Sequence, residues 1–125
     1  MKGLSIMVVG YGYDCQHSVT HAYCSALPVA YSSQSSKHWE PFACLVLEAA
    51  YEATLHVASL NADRTGNRQV YLTLLGGGAF GNDSDWIMAA IERAARLFAS
   101  ADLDIFIVSY RASKSDVQRM IDRLQ

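Results

Sequence analysis

The fold of this chain is decided by residues 70–82, which read VYLTLLGGGAFGN. The first part of this stretch is apolar almost throughout, which is typical of a strand buried on both faces. The second part contains four glycines and runs directly into an amphipathic segment. A strand that passes through a loop into a helix is the basic connection of α/β folds. We therefore predict a strand over Val70–Leu75, a loop over 76–82 and a helix after it.

Helical periodicity flanks this stretch on both sides. Upstream, apolar residues recur every three or four positions over residues 39–60, which predicts one face of a helix. Downstream, the same pattern covers residues 84–100, with Asp83 or Ser84 as the N-cap, and a shorter one covers 113–124. The inner face of the first helix is predicted to carry Phe42, Leu45, Val46, Ala49, Ala53, Val57 and Leu60, with Glu48 and Glu52 on the other face.

Three further segments have the character of strands. Leu4–Val9 and Leu103–Tyr110 are short, apolar and β-branched, and His21–Tyr31 is extended, with Pro28 marking an edge or a bend. The predicted order is β-β-α-β-α-β-α, and alternating strands and helices imply parallel crossovers. The fold class expected is a three-layer α/β/α sandwich with a mostly parallel mixed sheet. The 125 residues contain no repeat or composition shift, so we predict a single domain over 1–125.

Composition narrows the possible partners. The formal charge is −2 and no stripe of Lys or Arg is present, so nucleic acid is not an expected partner. No apolar run approaches the roughly 20 residues that span a bilayer, so no membrane is expected either. Cys15, Cys24 and Cys44 form an odd set, which indicates free thiols in a reducing, cytoplasmic compartment. The 51% hydrophobic content makes a homo-oligomer possible.

The glycine loop is the segment with the clearest chemical character. Gly76, Gly77 and Gly78 let the backbone approach a ligand closely, and their N–H groups, with those of the following helix, form a nest for a phosphate. The alternative is that the glycines only make a tight turn. Asp83 and Asp85 place negative charge near this loop, and they must point away if it holds an anion. No Lys-Ser/Thr pair follows, as a P-loop requires, and the acidic residue of a dinucleotide-binding fingerprint is missing at the expected place.

The segments LLGGGAFGN (74–82) and LDIFIVSY (103–110), with a helix between them, resemble the C-terminal half of macrodomains. The loop looks most like the poly(ADP-ribose) glycohydrolase branch and related bacterial effector macrodomains. The resemblance covers residues 69–111 and, more loosely, 23–31. It implies a macrodomain-like fold that binds ADP-ribose or an ADP-ribosylated protein without a separate cofactor, in the cytoplasm or, for an effector, in a host cytosol. It assigns the diphosphate and distal ribose to Gly76, Gly77, Gly78, Ala79, Phe80, Gly81 and Asn82, and the adenine to Ser109 and Tyr110.

The N-terminal part departs from the family pattern. The adenine-binding Asp, the Asn-rich segment and the first glycine loop of macrodomains are not evident, and only residues 10–16 (GYGYDCQ) stand in for that loop. The chain is therefore expected to be an N-terminally shortened member. Asp14 is the candidate catalytic residue, which would orient water toward the anomeric carbon of the distal ribose or take its proton. Gln16 would bond a ribose hydroxyl.

Three functions stay open from the sequence. The first is hydrolysis of an ADP-ribosyl linkage, the second is a non-catalytic reader of ADP-ribose or another nucleotide, and the third is a structural subunit without a nucleotide site. Cys15, His17, His21 and Cys24 are zinc-ligand types, but their spacing is not that of a structural zinc site, so no metal is predicted.

Overall fold

A computed structural model of the chain describes residues 3–9, 18–110 and 114–125, with the backbone alone for 3–9 and for Tyr110. Within these ranges the chain forms three strands, three helices and one short 3₁₀ turn. In chain order they are β1 (Gly3–Val9), the 3₁₀ turn (Val29–Tyr31), α1 (Ser36–Thr65), β2 (Gln69–Leu72), α2 (Ser84–Leu97), β3 (Asp104–Tyr110) and α3 (Ser115–Leu124).

The strands form one parallel sheet in the order β1-β3-β2. β1 pairs with β3 from Gly3↔Asp104 to Val9↔Tyr110, and β2 pairs with β3 from Gln69↔Asp104 onward. The three strands therefore start at the same level, and their carboxyl ends lie at one edge of the sheet. The loop that follows β2 leaves from that edge.

The described sheet is covered on one face. Ile105 and Ile107 of β3 are buried together with Val70 and Leu72 of β2, whereas Tyr71 between them is 44% exposed. The ring of Tyr71 stacks on Phe106 at 5.1 Å on the open face. The two strands thus alternate between a helix-covered face and an open one, as strands of a two-layer fold do.

All three helices pack in one layer. α2 lies between α1 and α3: its Arg93 pairs with Glu48 and Glu52 of α1, and its Glu92 with Arg123 of α3. One continuous core joins the helices to the sheet, and its largest fully buried side chains are Leu47, Leu55, Ile87, Ile91, Leu103, Ile105, Ile107, Met120 and Val117.

The predicted three-layer α/β/α, macrodomain-like sandwich with a mixed sheet is therefore wrong. The described residues form a small, purely parallel sheet with a single layer of helices. The expected second strand over 21–31 is also wrong, because this segment has no strand and ends in the 3₁₀ turn. The aromatic and aliphatic side chains of β2 and β3 resemble a doubly buried pattern, but half of them lie on the open face.

The inner face predicted for α1 is wrong as well. The helix buries Ala43, Leu47, Ala50, Tyr51 and Leu55 instead. The residues predicted to be inside are largely exposed, with Phe42 at 53%, Leu45 at 59% and Leu60 at 69%. Both sides of α1 are apolar at helical spacing, so periodicity finds two stripes and does not tell which one meets the sheet.

The helix starts and lengths agree better with the sequence. Asp83 is confirmed as the N-cap of α2, because its side chain accepts a hydrogen bond from the Asp85 N–H. Among the helices that the structure describes, only α1 is long and apolar enough to cross a membrane. Length and composition are weak evidence on this point, since core helices of soluble proteins pass the same test.

Candidate functional site at the glycine loop

The glycine loop leaves the carboxyl edge of the sheet after β2 and ends at the start of α2. In open parallel sheets this edge is where ligands bind. β1 and β3 also end at this edge, at Val9 and Tyr110, since the three described strands are parallel. The candidate residues Asp14 and Gln16 follow β1 in the sequence and lie outside the described residues.

Gly76 and Gly81 are required by the fold. Both have a positive φ, 72° and 68°, which disfavours residues with a Cβ. A Cβ at Gly76 would overlap the side chain of Ala26, and one at Gly81 would come within 2.8 Å of the Ala30 Cβ. These two glycines therefore let the loop pack closely against residues 26–30.

Asn82 holds the loop to the same segment. Its Nδ2 donates to the Leu27 carbonyl at 2.8 Å and to the Gly76 carbonyl at 3.4 Å, and its backbone N–H donates to Gly76 at 3.0 Å. A further bond runs from the Ala30 N–H to the Phe80 carbonyl at 2.9 Å. Asn82 is buried, so its amide group serves the structure; its Oδ1 atom is buried as well and has no partner among the described residues.

The tip of the loop is different. Gly81 donates its N–H to the Gly78 carbonyl at 3.0 Å, which closes a turn over residues 78–81. In the described part of the chain, the backbone N–H groups of Gly78, Ala79 and Phe80 donate to no protein acceptor. A Cβ at Gly78 would meet nothing within 4 Å. Three successive amides at an exposed turn are the donor set of an anion-binding nest.

Tyr51 holds the backbone that leads into the loop. Its hydroxyl donates to the Thr73 carbonyl at 2.8 Å and accepts from the Leu75 N–H at 2.9 Å. Burial raises the pKa of Tyr51 to about 12, and the bond from Leu75 opposes this rise. These two bonds fix the backbone between the end of β2 and the first glycine.

Acidic groups surround the start of α2. Asp83 caps the helix, Asp85 lies in its first turn, and Ser84 donates to the Asp116 carboxylate at 2.6 Å. That hydrogen bond holds the pKa of Asp116 below its usual range. The helix N-terminus is therefore already occupied by carboxylates, and the anion-binding capacity of the loop lies in the amides of residues 78–80.

An aromatic pair stands beside this turn. Phe80 is half-buried against the core, and its ring meets Tyr31 edge-on with ring centroids 6.1 Å apart. Tyr31 is 71% exposed and offers an open ring face next to the loop. The sequence alone does not mark Tyr31 as a ligand contact. Its role becomes visible only from the fold, because it ends the segment on which the loop packs.

The predicted adenine contacts, Ser109 and Tyr110, lie at the carboxyl end of β3. Ser109 is buried, on the same side of β3 as Ile105 and Ile107, so it faces the helices. Tyr110 pairs with Val9 through the backbone, and its side chain lies outside the described part of the chain.

The candidate zinc ligands are only partly described. Cys15 and His17 lie outside the described residues, His21 meets Tyr23 edge-on, and the Cys24 thiol donates to the Ala50 carbonyl at 3.8 Å. Within the described residues, no group of three metal-ligating side chains comes together.

Enclosed space near the loop is small. A cavity of about 60 Å³ lies between Cys24, Tyr51 and Thr73, whereas nucleotide pockets take several hundred Å³. A groove of about 350 Å³ lies at the opposite end of the sheet, near Gly66, Arg68 and Asp102.

Comparison with known proteins found no match. No family model, no curated protein and no solved structure matches the chain. The geometry of the glycine loop is therefore the basis for a proposed function.

Proposed function

We propose that the tip of the glycine loop binds the diphosphate of a nucleotide ligand of the ADP-ribose type. The observation that carries this proposal is a set of three successive backbone amides, at Gly78, Ala79 and Phe80, that have no acceptor among the described residues. Phosphate oxygens are the acceptors that such nests prefer. Gly76 and Gly81 have a structural explanation, but no side-chain clash or positive φ explains a glycine at position 78.

The aromatic pair extends the contact beyond phosphate. Tyr31 is exposed beside Phe80, and a tyrosine ring stacks on a base or covers one face of a ribose. A phosphate at the turn and a ring system on Tyr31 would engage two parts of one nucleotide. This supports a nucleotide over inorganic phosphate as the ligand.

The carboxylates near the loop bear on which nucleotide is bound. Asp83 and Asp85 disfavour a ligand with a high negative charge, but ionised carboxylates are good acceptors for ribose hydroxyls. ADP-ribose carries two phosphates between two riboses, whereas a nucleoside triphosphate carries more charge and fewer hydroxyls. The acidic surroundings therefore favour ADP-ribose over ATP.

Hydrolysis of an ADP-ribosyl linkage stays a prediction. It depends on Asp14, which would position or deprotonate the attacking water. An Asp14→Ala variant should lose release of ADP-ribose from modified protein and keep its affinity for free ADP-ribose. Release that persists in Asp14→Ala would remove Asp14 as the catalytic residue, and a wild type that binds ADP-ribose but releases none would be a non-catalytic reader.

Calorimetric titration tests the binding proposal, with ADP-ribose as ligand and AMP, NAD and ATP as comparators. We expect micromolar affinity for ADP-ribose, lost by at least tenfold in Gly78→Val because the new side chain stands where the phosphate approaches the amides. Ala89→Val is the matched control, since it places the same side chain at an exposed position of α2, outside the loop. No heat with any ligand would overturn the proposal and leave a loop that only fixes residues 26–30.

A further inference from the structure

α1 carries an exposed apolar stripe, formed by Phe42, Leu45, Ala49, Ala53, Val57 and Leu60. Its bulky members are 53%, 59%, 36% and 69% exposed for Phe42, Leu45, Val57 and Leu60. The opposite side of the same helix is in the core. A continuous exposed apolar surface of this kind marks an interaction site.

The stripe is symmetric about position 51. Phe42 and Leu60 lie at equal distances from this position, as do Leu45 and Val57, and Ala49 and Ala53. Bulky residues thus occupy both ends and small residues the centre. If a second α1 runs antiparallel with its midpoint at the same level, Ala49 faces Ala53 of the other copy, and each bulky end meets the opposite end.

We propose that this stripe is the interface with a second copy of the same chain, with the two α1 helices antiparallel across a two-fold axis near position 51. A two-fold interface uses the same patch on both copies and must be complementary to itself, and the symmetric order of the stripe meets that requirement. The central alanines let the two backbones approach closely, while the bulky side chains interlock on either side.

The ends of the helix are complementary in charge under the same arrangement. His38 lies thirteen residues before position 51 and Asp63 twelve residues after it. In the antiparallel pair the two therefore lie within one residue of the same level, and a rotation of about 100° per residue puts them on the same side. The Nδ1 atom of His38 is bonded to the Ser35 hydroxyl at 3.0 Å, which leaves Nε2 for the partner's Asp63. A parallel pair would instead bring His38 against His38 and Asp63 against Asp63.

The charged side chains beside the stripe already form ion pairs within one copy. Arg93 pairs with Glu48 and Glu52 along the side of α1 that meets α2, so no unpaired charge from this group would be buried. The helix is also folded before it associates, which lowers the entropic cost of binding. The stripe spans about 27 Å of helix at 1.5 Å per residue, which is at the small end of specific interfaces. We therefore expect a dissociation constant on the order of 10 μM.

Sedimentation equilibrium over a range of protein concentrations tests this interface. Wild type should pass from monomer to dimer, and Ala49→Glu should stay monomeric with an unchanged circular dichroism spectrum, since Ala49 is exposed in one copy. The matched control is Ala89→Glu, on an exposed position of α2, which should dimerise as wild type does. A wild type that stays monomeric, or a dimer that Ala49→Glu leaves intact, overturns the proposal.

A double variant tests the antiparallel register. Ala49→Glu with Ala53→Lys places opposite charges against each other in the antiparallel pair, and dimerisation should return to within a few-fold of wild type. In a parallel pair the same variant sets like charges opposite each other, and it would stay monomeric.

Flotation with phosphatidylcholine vesicles distinguishes the competing occupant. If wild type stays monomeric and binds vesicles, and Ala49→Glu abolishes that binding, then the stripe binds a membrane surface and not a second copy. None of these measurements involves a nucleotide, so their outcome is independent of the loop's ligand.

Discussion

Gly76 and Gly78 lie two residues apart in one loop, yet their surroundings differ completely. Gly76 has a positive φ of 72° and no room for a Cβ beside Ala26. Gly78 faces open space, and its N–H begins the run of three unpaired amides in the described loop. Packing and a positive φ explain the first glycine, whereas no contact within the described residues requires the second.

The comparison shows how a glycine-rich motif divides into parts. Four glycines in seven residues read as one phosphate-binding motif in the sequence, but the fold accounts for two of them through close contact with residues 26–30. Only the tip keeps donors available for a ligand. A motif of this kind should therefore be assigned residue by residue, after the tertiary neighbours are known.

The largest effect expected is on stability at Gly76. Gly76→Ala adds a side chain at a positive φ and against Ala26, and we expect it to lower the free energy of unfolding by about 2–4 kcal/mol. Gly78→Ala should change it by about 0.5 kcal/mol or less. Urea unfolding followed by circular dichroism measures both, and equal effects at the two positions would remove the distinction between them.

The support beneath the loop gives the next effect. Tyr51→Phe removes the bonds to Thr73 and Leu75, and we expect a loss of about 1–2 kcal/mol at neutral pH. The same residue predicts a pH dependence. The pKa of Tyr51 is about 12 in the folded protein against about 10 when unfolded, so the unfolded state loses its proton first as the pH rises.

The stability from Tyr51 is therefore complete below pH 10 and falls between about pH 10 and 12. The free energies of unfolding of wild type and Tyr51→Phe, measured at several alkaline pH values, should converge as the pH rises through this window. A difference that stays constant with pH would show that the tyrosine is not buried and protonated as described.

The smallest effect expected concerns the acidic groups beside the amides. Asp85→Asn keeps the cap, because the Asp83 side chain bonds the backbone of residue 85. Removing one negative charge near the loop should raise the affinity for ATP about two- to fivefold relative to the affinity for ADP-ribose. Asp122→Asn on α3 is the control, with no expected change. Weaker binding in Asp85→Asn would instead indicate that this carboxylate bonds the ligand directly.

Local patterns predicted the elements of the fold well. The strands near β1 and β3, the helix from Ser84 and the Asp83 cap depend on spacing and capping chemistry within a few residues. The layer arrangement depends on which side of each element is covered. Apolar residues on both sides of α1, and Tyr71 and Phe106 on the open face of the sheet, gave no local signal for that choice.

The candidate site was predictable only in part. The loop and its position after a parallel strand could be read from the sequence, because glycine clusters at strand ends are local features. The roles of Gly76, Gly81 and Asn82 could not, since they depend on Ala26, Leu27 and Ala30, some fifty residues earlier in the chain. The exposed Tyr31 became a candidate for the same reason.

Amide NMR spectra of the ¹⁵N-labelled protein during titration with ADP-ribose test whether the amides of residues 78–80 bind phosphate. We expect saturable downfield shifts of the Gly78, Ala79 and Phe80 amide protons, because each would donate a charge-assisted hydrogen bond to a phosphate oxygen. The amide of Gly77 already donates to the Leu74 carbonyl, and those of Gly81 and Asn82 donate to Gly78 and Gly76. These three amides should move much less. Binding that leaves residues 78–80 unshifted, or no shifts anywhere, would contradict the proposal.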